Sequence, residues 1–198
     1  MSTDPGVTIQ TGFPEGQRGA AAHLYYQAFG EKLGKLMGHD GRAEQFFARV
    51  LDPTHAISAL SPEGNLLGFA GFKTERGAFA GGGLRDFAAI YGWPGTLWRA
   101  PLLALLERDL APGQLLMDGI AVAPEARGLG IGTKLLSAIM DEARARKMAQ
   151  VRLDVIDINP RARALYERVG FRAEKTEHIG PLRHLFGFRS ATRMVCDL

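Results

Sequence analysis

Cys196 is the only cysteine in the chain, so no internal disulfide can form and no cysteine cluster is available for zinc. No apolar run approaches the ~18 residues that a membrane-spanning helix needs. The opening residues, Met1-Ser2-Thr3-Asp4-Pro5-Gly6, lack the basic and apolar regions of a secretion signal. These absences lead to the expectation of a soluble cytoplasmic protein with no membrane partner. The five histidines, His23, His39, His55, His178 and His184, share no metal-ligand spacing, and no metal is expected. Internal repeats and low-complexity segments are missing too. The arginines are dispersed among acids rather than interleaved with aromatics, which argues against nucleic acid.

What remains is an ordinary globular composition. Of 198 residues, 46% are hydrophobic and 23% charged, enough to bury a core and to exclude disorder as the main state. The length fits one domain over residues 1–198. The formal net charge of +3 is unevenly spread: residues 1–98 hold 8 basic and 9 acidic side chains, residues 99–198 hold 16 and 12. The basic second half is either a solvated surface or a site for an anionic ligand.

The pattern predicts a short strand at Val7 and Ile9, a helix from Gln17 to Phe29 and a helix from Arg42 to Val50, closed by Pro53. Two apolar runs, His55 to Leu60 and Leu66 to Lys73, flank the turn residues Ser61-Pro62-Glu63-Gly64-Asn65 and predict a hairpin. From about 74 to 113 the pattern loosens around Gly81-Gly82-Gly83 and the turn Gly92-Trp93-Pro94-Gly95, before an apolar helix from Trp98 to Leu110. This stretch is expected to be an insertion. Regularity returns with a strand from Leu115 to Val122, a helix from Thr133 to Lys147, a strand from Gln150 to Ile156 and a helix from Pro160 to Val169. That order argues for a βαβ unit with a parallel strand pair, hence an α/β fold. The tail has room for two more strands, Thr192 to Cys196 being the better one.

Arg127-Gly128-Leu129-Gly130-Ile131-Gly132-Thr133 joins a strand to a helix, where free backbone N–H groups and the helix dipole favour an anion. A dinucleotide fingerprint would need glycine where Thr133 stands. A P-loop would need lysine directly after the last glycine, where Thr133 precedes Lys134. Neither pattern is met.

Arg127, Gly130 and Gly132, within Ile120 to Gly132, resemble the central motif of the GCN5-related N-acetyltransferases (GNAT). Asn159, Ala162, Leu165-Tyr166 and Gly170-Phe171 resemble that family's second segment, in the right order and at the right distance. The resemblance spans Leu115 to Arg172 and is absent from 74–113. It implies a mixed sheet of about six to seven strands flanked by helices. The pantetheine arm of acetyl-CoA would lie between two splayed central strands. The main chain of Ile120, Ala121 and Val122 would pair with that arm, and the amides of Gly128, Leu129, Gly130, Ile131, Gly132 and Thr133 would hold the pyrophosphate beside Arg127. Asn159 would lie near the arm, although an asparagine directly before Pro160 also suits a helix N-cap.

Acetyl transfer from a thioester to an amine needs a neutral amine, a stabilised oxyanion and a proton for the leaving thiolate. Deprotonating an alkyl amine of pKa ~10.4 at neutral pH costs roughly 4–5 kcal/mol. By the resemblance, Tyr166 is the general acid, or else a core aromatic. Asp118 and Asp154 are carboxylates inside apolar strands, where burial would raise their pKa toward that of a useful base. Alternation places Asp118 with Ile120 and Val122, and Asp154 with Arg152, with which it could instead form a structural ion pair. Phe87, Tyr91, Trp93 and Trp98 in the insertion are either an acceptor wall, a cover for the sheet or a contact in a homodimer. The expected function is direct acetyl transfer from acetyl-CoA to a primary amine of a small molecule or peptide; a CoA-binding sensor of the same fold is the alternative.

Overall fold

Seven strands lie side by side in one mixed sheet, in the order β1 (Thr8–Thr11), β2 (Ala56–Leu60), β3 (Leu66–Thr74), β5 (Gln114–Val122), β6 (Gln150–Ile156), β8 (Ser190–Asp197) and β7 (Arg172–His178). An eighth, the two-residue β4 (Gly77–Ala78), pairs with the end of β3. The structure is a computed structural model describing residues 6–38, 40–104 and 109–198. Residues 1–5, His39 and positions 105–108 of the helix expected to reach Leu110 lie outside the described residues. Strand pairing is antiparallel except between β5 and β6. Their connection carries helix α4 (Ile131–Ala145), the crossover that a parallel pair requires.

The two sheet faces are covered differently. On one lie α1 (Arg18–Met37), α2 (Arg42–Val50) and α3 (Leu84–Ala104), with Phe69 of β3 stacked on Tyr25 of α1 at 6.1 Å. On the other lies α4, whose Leu135, Leu136, Ile139 and Ala143 are buried; Phe72 of β3 sits under the Arg146 guanidinium just past its end, 5.0 Å away. The α2 stripe of Ala43, Phe46, Phe47 and Val50 is buried as its spacing predicts. The hairpin turn closes with the Ser61 amide donating to the Asn65 carbonyl at 2.9 Å.

Two elements differ from expectation, and a third, one of the two strands for which the tail had room, has an unusual surface. α1 continues to Met37, past the expected end at Phe29. α3 begins at Leu84 rather than Trp98; its helical turns are interrupted at Gly92 (φ 66°, ψ 165°), within the predicted turn, and Asp109 and Leu110 are not helical. β7 is exposed along its whole length, so it carries none of the apolar alternation that marks a strand in sequence. Among the described residues no helix is long and apolar enough to cross a membrane, and no three His, Cys, Asp or Glu side chains gather as a metal site.

Candidate active site

β5 and β6 pair only at Gln114 with Gln150, Leu115 with Val151 and Leu116 with Arg152. Beyond Leu116, β5 stays on β3 and β6 stays on β8, so the sheet opens as a wedge. Two cavities meet in it. The larger, about 610 Å³, runs beneath α1, α2 and α3 and takes Phe46, Phe47, Phe87 and the Gly81–Gly83 loop into its wall. The smaller, about 380 Å³, is bounded by α1, the main chain of β5 from Met117 to Val122, and the start of α5 (Pro160–Arg168). Met117, Asp118, Asp154 and Ile156 line both.

A bulge decides where Asp118 points. Gly71 pairs with Gly119 and Phe72 with Met117, which leaves Asp118 as the extra residue opposite β3. A bulge of this kind turns two consecutive residues to one face. Gly119 faces α1, where a Cβ would lie 2.1 Å from the Phe29 ring, and Asp118 faces the same way, toward Tyr25 and the Phe79-Ala80 backbone. Strict alternation, which grouped Asp118 with Ile120 and Val122, is therefore corrected: those two pair with Ala70 and Gly68, on the α4 side of the sheet. The glycine after Asp118 was the one local hint, since register slips cannot be seen without the partner strand.

The surroundings of Asp118 are unusual for a carboxylate. Its Oδ2 is buried and has no hydrogen-bond partner among the described residues. Burial pushes the carboxyl from 3.8 up to about 6, against the opposing pull of the Ala80 and Phe79 backbone and of the Lys73 and His55 side chains. It also raises the neighbouring Tyr25 phenol: burial first and the Asp118 charge second lift it well above its ordinary value. Tyr25 lines the larger cavity and was not singled out from sequence, where it reads as one more apolar residue on a helix face.

Asp154 stands differently. Its Oδ2 is 3.3 Å from the guanidinium of Arg152, whose side chain is 5% exposed, and Arg152 also donates to the Asp109 carbonyl at 2.9 Å. Tyr166, on α5, lines the smaller cavity and packs tilted against Phe171 with ring centres 6.0 Å apart. Burial pushes its phenol up to about 12, so it holds its proton at neutral pH. Asn159 caps α5, its Oδ1 accepting from the Ala162 amide at 3.2 Å, and it lines the smaller cavity.

At the strand-to-helix turn, Gly128 and Gly130 take φ of 83° and 75°, a region costly for any residue with a Cβ. α4 starts with no side-chain cap, leaving its first amides for water or a ligand.

A family model described as the acetyltransferase (GNAT) family matches residues 20–171. The chain belongs to this family. In sequence, this GNAT chain is similar to the probable N-acetyltransferase camello of Xenopus tropicalis, 41% identical over 76 residues, which are 38% of this chain and 35% of that protein. It is also similar to the 5-NmdU N-acetyltransferase of Pseudomonas phage PaMx11, 48% identical over 65 residues, 33% of this chain and 44% of that protein. The chain thus spans less than half the length of these curated relatives. Its fold resembles that of the ribosomal-protein-S18-alanine N-acetyltransferase from Escherichia coli, with a TM-score of 0.59 at 19% identity over 96% of this chain and 93% of that one. A GCN5-related N-acetyltransferase from Kribbella flavida overlays with a TM-score of 0.63 at 15% identity, covering 98% of each chain. At these identities the likeness is one of fold.

The GNAT chain brings Ile120, Ala121, Val122, Arg127 and Asn159 together around the smaller cavity, with Arg161 added at its wall. Gly128 to Thr133 do not line it; they form the adjoining turn, in which the Ile131 side chain is buried in the core. Gly132 has its own reason to be glycine: a Cβ there would come within 3.1 Å of Leu165 on α5. Of the four aromatics singled out from sequence between 74 and 113, Phe87 lines the larger cavity. Tyr91 is buried and donates to the Met37 carbonyl at 2.9 Å. Trp93 and Trp98 are exposed and contribute nothing to the lining.

Proposed function

We propose that this chain transfers an acetyl group directly from acetyl-CoA to a primary amine, with acetyl-CoA in the smaller cavity and the acceptor in the larger. One observation carries the reading: the two cavities meet where β5 and β6 part, and a buried carboxylate with one unpartnered oxygen stands at the junction. The pantetheine arm pairs with the main chain of Ile120 to Val122, left without a strand partner on the β6 side. Arg127, Arg161 and the amides opening α4 take the phosphates. Asp118, ionised above about pH 6, removes the proton from the bound ammonium. The amine nitrogen then attacks the thioester carbonyl, and the carbon–sulfur bond breaks. Tyr166 gives its proton to the departing thiolate. Asp154, held by Arg152, keeps the wall of the wedge in place rather than serving as the base. Residues 74–113 act within the same domain as an acceptor wall, and the working compartment is the cytoplasm.

Two variants test this division of labour. Gly130→Val forces a branched side chain into a left-handed backbone and turns the α4 amides aside. It is expected to raise the acetyl-CoA Kd about tenfold or more by calorimetry, while the circular dichroism stays that of a folded protein. Unchanged affinity in the folded variant would remove the turn from the donor site. Acetyl-CoA that binds without releasing thiol, whatever amine is offered, would leave only a sensor.

The acceptor side is tested by a contrast within α3. Phe87→Ala opens the larger cavity and is expected to raise amine KM severalfold with little change in acetyl-CoA KM. Trp93→Ala should leave both constants as they are. A Trp93 effect as large as that of Phe87 would place the acceptor elsewhere.

A further inference from the structure

The larger cavity also bears on which amine it takes, an inference that rests on the acceptor reading above. Its volume of about 610 Å³ lies in the ~300–1,000 Å³ range of sites for compact organic ligands. The larger part of the wall is apolar: Met37, Phe46, Phe47, Leu84, Phe87 and Ala100 surround the space below the helices. The glycine run adds no polar side chain, and it lies so close to α2 that a Cβ on Gly82 would be 2.6 Å from the Phe46 ring. Among the described residues the charged side chains in the lining are Lys73, Asp118 and Asp154, and the Lys73 cation acts on the Asp118 carboxyl. Of the two carboxylates, Asp154 already faces the buried Arg152 guanidinium. Asp118 alone presents a buried oxygen lacking a partner. The described lining therefore offers one carboxylate oxygen for an ammonium group at the sheet, and no described side chain to accompany a second one deeper among the phenylalanines, where burying an unpaired charge is costly.

We infer that the acceptor is a monoamine carrying a bulky apolar body, an aralkylamine or a medium-chain alkylamine, with its nitrogen at Asp118 and its body against Phe46, Phe47 and Phe87. Polyamines, aminoglycosides and other polycations are excluded by the same lining, because each further ammonium would lose its water without gaining a carboxylate.

The test is a chain-length series read in two ways. Ethylamine, butylamine, hexylamine, octylamine and 2-phenylethylamine are compared with 1,6-diaminohexane and 1,8-diaminooctane. CoA thiol release gives kcat/KM, and calorimetry against the CoA-loaded protein gives Kd for the same amines. Expected is a gain of about fourfold per methylene from ethylamine to hexylamine, the worth of a buried CH₂ at ~0.8 kcal/mol. Each diamine should fall at least a hundredfold below the monoamine of the same chain length. Ala100→Phe, which fills the wall, should lower the ratio of octylamine to ethylamine kcat/KM at least tenfold. Thiol release with a flat series, or with diamines preferred, overturns the inference and leaves acetyl transfer standing. Amines that bind with the chain-length gain but release no thiol uphold the inference and remove acetyl transfer. Neither binding nor turnover anywhere in the series overturns the inference.

Discussion

Replacing Asp118 with asparagine is expected to lower kcat/KM for the amine by roughly 10²–10⁴, the usual scale for a general base, and to abolish the acidic limb that the wild-type profile should show near pH 6. The same substitution is expected to make the protein more stable. The Asp118 pKa is about 6 in the fold against 3.8 ordinarily, so the folded state holds this proton more tightly than the unfolded chain does. Below about pH 4 both states are protonated and nothing is lost. Between 4 and 6 the unfolded chain ionises first, and the native state loses stability progressively. Above 6 the loss is complete, at roughly 3 kcal/mol. Urea unfolding of Asp118→Asn should therefore show a gain of about 2–3 kcal/mol over wild type at pH 7.5 that shrinks toward nothing by pH 4. A variant that is inactive but no more stable would make Asp118 a structural residue whose loss distorts the wedge. A variant that keeps the acidic limb would move the base elsewhere.

Tyr166→Phe is the second large effect. The substitution keeps the ring against Phe171 and removes only the hydroxyl. With its phenol near 12, Tyr166 is fully protonated through the working range and is a donor, never a base. Loss of that donor should reduce kcat by roughly 10²–10⁴ with little change in acetyl-CoA KM. An acyl donor with a more acidic thiol, which leaves without help, should recover much of the deficit. Equal defects with both donors would return Tyr166 to the core as a packing aromatic.

The sequence is most legible where local chemistry repeats what the fold needs. α2, β2, β3 and β6 fall within a residue or two of their predicted bounds because each carries its own apolar period and its own turn residues. Asn159 is readable for the same reason: cap, proline and motif coincide within two positions. The failures share a different origin. α1 runs through Gly30, and α3 begins beside three glycines, because packing on the sheet overrides weak local propensity. β7 was legible only as room for a second strand in the tail, because neither of its faces is buried. The bulge at Asp118 depends on Gly71 and Phe72, more than forty residues away, and with it went the choice between two carboxylates that look alike in their own strands. Arg152 could be read only as a possible partner of Asp154, and the buried depth of the pair came from the fold.

Three rungs of pairing are all that joins β5 to β6, so the sheet is in effect two smaller sheets, β1 to β5 and β6 to β8, hinged at Leu116 and Arg152. A cofactor arm laid into the wedge would become the strand that splices them. Such a protein borrows part of its backbone hydrogen bonding from its donor substrate. Its mechanical integrity would then follow the cell's supply of that molecule, adding roughly 2.7 kcal/mol when the ligand stands at a hundred times its Kd, and its turnover cycle would be one of repeated stitching and unstitching of a single sheet.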